Sequence, residues 1–161
     1  MCDEVIARAR PAGAIVLVND RSDLARLSDA DGVHVGQEDL PPAAVRQIVG
    51  GSAIVGLSTH SEEQVRHACR QPVDYIAVGP VFGTATKDTG YDRVGTDFVA
   101  RAAAIIEQAG AALPLVAIGG ITLDRAREVI DAGARCVAVI SDLLSTGNPE
   151  RRVREYVEAL K

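Results

Sequence analysis

The chain has 161 residues, 47% hydrophobic and 24% charged, which places it in the size range of one globular domain with a core of its own. Its net charge of −5 comes from interspersed acids and bases, so a nucleic-acid arm and a polybasic membrane segment are excluded and a small-molecule partner is expected. Cys2, Cys69 and Cys136 lie far apart with no C-x-x-C pair, which fits a reduced, cytoplasmic setting, and no run reaches the ~18 apolar residues that a membrane helix needs.

Residues 2–10 read as the tail of a helix that arrives without a preceding strand. Six apolar runs follow, at 14–18, 32–35, 53–57, 75–78, 115–118 and 136–140. They are short, rich in β-branched residues and barely alternated, as strands buried on both faces should be. Helical patterns lie between them. Ser61 and Gln64 form a capping box that opens the helix running on to Cys69. Thr122 opens a helix over 123–132, and Gly133 stops it. The strand-to-strand period of roughly 20 residues, longer only between the fourth and fifth runs, describes β/α units. Such units have two common solutions, the closed eightfold barrel and the open doubly wound sheet, and spacing alone leaves both open. Residues 1–161 read as a single domain without a linker.

Every strand run is followed by polar or glycine residues: Asn19-Asp20, Gly36 to Asp39, Ser58-Thr59-His60, the stretch GPVFGTATK at 79–87, Gly119-Gly120, and Ser141-Asp142. In a parallel array the carboxyl ends share one face, so a site is expected there. Asp20 and Asp39 are candidate ligands for Mg²⁺, which takes one or two carboxylates and completes its shell with water and phosphate oxygens; capping of the helices that follow is the competing reading. Gly119-Gly120 and Ile140-Ser141 stand where backbone N–H groups hold phosphate in barrels of this type, although a tight strand-to-helix turn also calls for glycine. Lys87 is one of only two lysines, with Lys161, against fifteen arginines. It suits a point charge on phosphate with the Thr84 and Thr86 hydroxyls beside it, against the reading of a solvated loop lysine. His34, inside a strand, is either a satisfied core group or a contact to a substrate ring. No Ser-His-Asp order, nucleophile elbow or cysteine beside a base occurs, so covalent catalysis is not indicated.

Taken together, LVND, ADGVHVGQEDLP, VGLSTHS, DYIAVGPVFGTATK, VAIGGIT and VAVIS resemble the thiamine phosphate synthase/thiazole tautomerase family in order and approximate spacing from about residue 14 to 145. The resemblance implies an α/β fold of the TIM (β/α)8 type. It also implies joining of a hydroxymethylpyrimidine diphosphate to a hydroxyethylthiazole phosphate, with loss of pyrophosphate before the thiazole nitrogen attacks. Asp20 and Asp39 would hold Mg²⁺, Asn19 and Lys87 would serve the leaving pyrophosphate, and Ser58 would lie beside the pyrimidine. Thr84, Thr86, Gly120, Ile140 and Ser141 would hold the thiazole phosphate. The family's opening strands and their Gln-x-Arg-x-Lys motif have no counterpart in this sequence, so the expected barrel is incomplete, with about six of eight βα units. A longer chain, a second copy completing the barrel, and a degenerate relative are the readings of that departure. A tautomerase-like relative and a non-catalytic thiazole phosphate binder are the alternative functions; Asp20, Asp39 and Lys87 together speak against the first.

Overall fold

The computed structural model describes residues 2–83 and 90–161. The elements are α1 (Cys2–Ala9), β1 (Leu17–Asn19), α2 (Ser22–Leu27), β2 (Gly32–Val35), α3 (Pro42–Val49), β3 (Ile54–Thr59), α4 (Glu62–Ala68) and β4 (Tyr75–Val78). Then come α5 (Gly95–Gln108), β5 (Leu115–Ile118), α6 (Leu123–Asp131), β6 (Cys136–Ala138), α7 (Ser141–Leu144) and α8 (Pro149–Ala159). The sheet order is β1-β2-β3-β4-β5-β6. A doubly wound sheet needs a switch point at which strand order reverses, and this order has none. The fold is therefore α/β of the TIM (β/α)8 type, incomplete, with six βα units. No described helix is long and apolar enough to cross a membrane.

The chain divides into two compact units. The first comprises Met1–Ser58 with Arg70–Tyr75. Here β1 pairs parallel with β2, placing Asn19 opposite His34, and β2 pairs parallel with β3, placing Gly32 opposite Ile54. Val33, Val35, Val45 and Val55 are fully buried, each burial contributing about 1.5–3 kcal/mol. The first strand starts at Leu17 rather than Ala14 because Asp31 captures the chain before it. The Asp31 carboxylate accepts the Val16 N–H at 2.7 Å, and the Val16 carbonyl accepts the Asp31 N–H at 3.0 Å. At the amino end of β3, Asp74 accepts from the Val55 N–H and from Arg46, both at 2.7 Å.

The second unit comprises Thr59–Cys69 with Ile76–Lys161. β4 pairs parallel with β5, and β5 with β6. Phe98, Ala102 and Ile105 recur at helical spacing along α5 and are buried with Ile76, Val78 and Val81. Ser61 caps α4 by accepting the Gln64 N–H at 3.2 Å, while Gln64 Oε1 accepts the His60 N–H at 2.6 Å. The reciprocal half of the expected capping box thus falls one residue earlier. Thr122 precedes α6 without a side-chain cap bond; the Leu123 N–H donates instead to Asp142 at 3.2 Å. The sixth strand stops at Ala138, leaving Val139 and Ile140 to the following turn.

Gly32 generates a direct test of the first unit's register. A methyl added there lands on the Ile54 carbonyl of the adjacent strand, whereas one added at Gly51 meets nothing within 4 Å. Gly32→Ala is expected to cost about 1–3 kcal/mol in urea denaturation, the range of overpacked cores, and Gly51→Ala about zero or slightly less. Equal midpoints for the two variants contradict the β2–β3 register.

Candidate active site

In the first unit, the candidate residues follow from the β1–β2 pairing. Asn19 ends β1, and Asp20 next to it has φ 62°. That left-handed conformation is uncommon for a residue with a side chain, and Asp is among those that tolerate it best. The Asp20 N–H donates to the His34 carbonyl at 2.8 Å, and the Arg21 N–H donates back to the Asn19 carbonyl at 2.7 Å, closing a tight turn around Asp20. The N-cap of α2 is Arg21, and that of α3 is Pro41, neither with a side-chain cap bond. Neither Asp20 nor Asp39 occupies an N-cap, so the capping reading of both is set aside. Asp39 instead accepts the Gly36 N–H at 2.7 Å, pinning the turn that follows β2.

His34 is the hub of this unit's strand ends. Its Nδ1 lies 2.7 Å from the Tyr75 hydroxyl and its Nε2 2.8 Å from Ser58 Oγ. The imidazole also stacks on the Tyr75 ring, with centroids 5.5 Å apart. Both ring nitrogens are engaged, so His34 is a satisfied polar group that holds the Ser58 hydroxyl in place. Gln37 adds a second hold by donating to the Ser58 carbonyl at 2.6 Å. Gly56 makes room for this arrangement, since a Cβ there would enter the Tyr75 ring. Gln37 and Tyr75 escaped the sequence reading as site residues. Gln37 belongs to the GQED motif, which was a usable signal; Tyr75 read only as part of an apolar run.

The second unit carries the glycine pair. Gly119 has φ 102° and Gly120 φ 62°, conformations natural to glycine. A Cβ on Gly119 would strike Pro80, and one on Gly120 would strike the Gly83 carbonyl and Phe82. The Val81 and Phe82 N–H groups donate to the Ile118 and Gly119 carbonyls at 2.9 and 3.0 Å. Both glycines are thus required by a close backbone crossing, as the tight-turn reading held. The same turn leaves the Gly120 and Ile121 N–H groups without a hydrogen-bond partner among the described residues, the feature a phosphate cradle needs. Ile140 and Ser141 begin α7, and both are exposed. His60 stacks on Tyr91 with centroids 3.7 Å apart, and its Nδ1 donates to the Gly79 carbonyl at 2.5 Å. Thr84, Thr86 and Lys87 lie outside the described residues. Among the described residues, no group of three or more His, Cys, Asp or Glu is placed to hold a metal ion.

Burial pushes the His34 imidazole below its ordinary pKa, against the opposing pull of the Asp39 carboxylate. Above about pH 6.5 the imidazole is neutral in both folded and unfolded chains. As pH falls below that value the unfolded chain takes up a proton that the folded chain refuses, so stability falls. Urea midpoints measured between pH 7.5 and 5.5 are expected to drop more steeply for the native sequence than for His34→Gln. The difference in slope is at most about 1.4 kcal/mol per pH unit, and identical slopes contradict a buried neutral His34.

A family model described as thiamine monophosphate synthase matches residues 1–143. The thiamine-phosphate synthase of Pelotomaculum thermopropionicum is 44% identical over 153 residues, which cover 95% of this chain and 68% of the relative. That of Koribacter versatilis is 44% identical over 155 residues, 96% of this chain and 70% of the relative. Among solved structures, thiamine phosphate pyrophosphorylase from Pyrococcus furiosus superposes with a TM-score of 0.86 at 31% identity, covering 99% of this chain and 73% of that one. An N-(5'-phosphoribosyl)anthranilate isomerase from the same organism, at 16% identity and a TM-score of 0.69, shares the fold alone. The chain belongs to the thiamine monophosphate synthase family.

Proposed function

We propose that this chain is a cytoplasmic, Mg²⁺-dependent transferase that joins a hydroxymethylpyrimidine diphosphate to a hydroxyethylthiazole phosphate, giving thiamine monophosphate and pyrophosphate. The observation that carries the reading is the 44% identity over 153 residues to a thiamine-phosphate synthase. The strand-end residues supply a chemistry to match.

In the reaction, the bond between the pyrimidine methylene carbon and the diphosphate oxygen breaks, and its electron pair leaves with pyrophosphate. The thiazole nitrogen then donates its lone pair to that carbon. No proton has to be removed, so the site works by orientation and by stabilising charge on the departing oxygens. Asp20 and Asp39 would hold the cation. Their oxygens suit a hard ion that needs few carboxylates, and Asp39 spends only one oxygen on the Gly36 N–H. When bound, Mg²⁺ supplies Lewis acidity toward the leaving pyrophosphate. Asn19 and Lys87 bind and orient that leaving group. Ser58 faces the pyrimidine, its hydroxyl fixed by His34 and its backbone by Gln37. Gly120, Ile140, Ser141, Thr84 and Thr86 hold the thiazole phosphate. His34 acts through Ser58, whose hydroxyl it holds.

The strained φ of Asp20 supports this assignment, because such conformations persist where surrounding structure over-determines them and cluster at functional sites. Turnover that rises with the fraction of dimer would add a second copy to the site; turnover independent of concentration would not.

Thiamine monophosphate formation from the two substrates is expected to require Mg²⁺. Lys87→Ala should lower kcat by about 10²–10³, the scale of losing one charge-stabilising donor, while thiazole phosphate binding stays within about twofold by the same division of roles. Equal loss of both contradicts that division. Asp39→Asn should shift the Mg²⁺ titration to higher concentration, and an unchanged titration removes Asp39 from the metal site.

A further inference from the structure

Asp142 is the one buried charged side chain among the described residues, 8% exposed, and the reaction above gives it no task. Its carboxylate is saturated. Oδ2 accepts the Tyr156 hydroxyl at 2.6 Å, Arg152 Nε at 3.0 Å and the Leu123 N–H at 3.2 Å. Oδ1 accepts Arg152 Nη2 at 3.1 Å, and the Ser145 hydroxyl, which donates to the Asp142 carbonyl at 2.8 Å, lies 3.4 Å from it. Arg152 is further fixed by Glu155 at 3.0 Å, and the Tyr156 hydroxyl also lies 3.5 Å from the Ile121 carbonyl. Burial pushes the Asp142 carboxyl up, but the hydrogen bonds from Arg152 and Tyr156, with the Arg152 charge and the Leu123 N–H, together hold it below its ordinary value. It stays ionised at neutral pH.

A buried carboxylate is costly unless fully paired, and packing alone does not call for one here. Its position does. Asp142 directly follows Ile140-Ser141; of the two residues the network holds, Ile121 directly follows Gly119-Gly120 and Leu123 lies two positions further on. These are the two backbone segments assigned above to the thiazole phosphate. The donors that lock the carboxylate, Arg152 and Tyr156, both come from α8. A bare carboxylate so near a phosphate site would repel the ligand; the paired guanidinium cancels that charge locally.

We propose that Asp142, locked by Arg152 and Tyr156, is a positioning residue that sets the spacing of the Gly119-Gly120 and Ile140-Ser141 turns, so that helix α8 tunes affinity for the thiazole phosphate. The proposal rests on the assignment of these turns to that ligand. It makes α8, which lies beyond the 143 residues matched by the family model, part of the substrate-recognition apparatus.

The test compares Tyr156→Phe and Asp142→Asn with the native chain by three measurements. These are calorimetric titration with hydroxyethylthiazole phosphate, the KM for each substrate, and amide hydrogen exchange over residues 119–125. Tyr156→Phe keeps the ring packing and the Arg152–Asp142 pair, so it stays folded even where Asp142→Asn does not. Thiazole phosphate binding is expected to weaken about tenfold, the order of loss from a small misplacement of donors. Its KM should rise in parallel, with the KM for the pyrimidine diphosphate unchanged and exchange at 119–125 accelerated. A merely structural role would shift both KM values together, and that result overturns the proposal, as does native exchange in folded Tyr156→Phe. A native chain that binds no hydroxyethylthiazole phosphate would bring down the cradle assignment itself. Unchanged exchange in the variants brings down only the link from Asp142 to the turns.

Discussion

The molecule depends on central strands, β2 to β4, that are buried on both faces. Val33, Val35, Val55 and Val78 have no exposed surface, so the strand interiors leave little room for unpaired chemistry. Polar side chains in such strands survive only with partners, because an unpaired polar group in the interior costs several times what a hydrogen bond contributes. Thr59 is an example, fully buried on β3 and donating to the Ala77 carbonyl at 2.9 Å. No buried side-chain nitrogen or oxygen among the described residues lacks a partner. Chemistry is therefore pushed to the strand ends, where the chain turns and backbone groups come free.

That constraint explains what could be read from the sequence. β2, β4 and β5 fall at their expected bounds, since each is written as a mostly apolar run bounded by polar, glycine or proline residues. The start of β1 does not, because the residue that ends the preceding segment is Asp31, fifteen positions away, and a carboxylate that reaches back across a helix leaves no local mark. Ser61 was legible as a cap, since that bond spans three residues. The left-handed turn at Asp20 was not. An Asp after a strand reads equally as a cap or a ligand until φ is known. Tyr75 was hidden for a related reason: its hydroxyl meets His34, 41 positions away on another strand. The glycine pair was legible as a turn, whereas its need for two glycines comes from the 80–83 segment crossing it.

Among the carboxylates at strand ends, Asp39 and Asp142 differ in how their oxygens are used. The Asp142 carboxylate accepts from four donor atoms of three residues, Leu123, Arg152 and Tyr156, which leaves little of it open to a cation. Its charge is already neutralised by Arg152. Asp39 is exposed and accepts one backbone N–H, so its carboxylate keeps lone pairs open to solvent, where a hard cation could take them. Asp20 sits in a backbone turn that holds it in an uncommon conformation. A sequence presents Asp39 and Asp142 alike, as an Asp near the end of an apolar run; donor count tells them apart.

Positive charge follows the same logic. A chain with fifteen arginines and two lysines uses arginine where a rigid fork meets a carboxylate or several carbonyls. Arg152 does this on Asp142, and Arg46 on Asp74 and the Pro72 carbonyl. Planar, preorganised donors lose little freedom in such contacts. A leaving pyrophosphate needs something else, because its charge grows and shifts between oxygens as the bond breaks. A compact ammonium with three rotatable donors can follow that movement, and a fork built for one fixed geometry cannot. On the role proposed for Lys87, Lys87→Arg would be a poor substitute despite equal charge, since it would trade an adaptable point charge for a geometry matched to a single arrangement of oxygens.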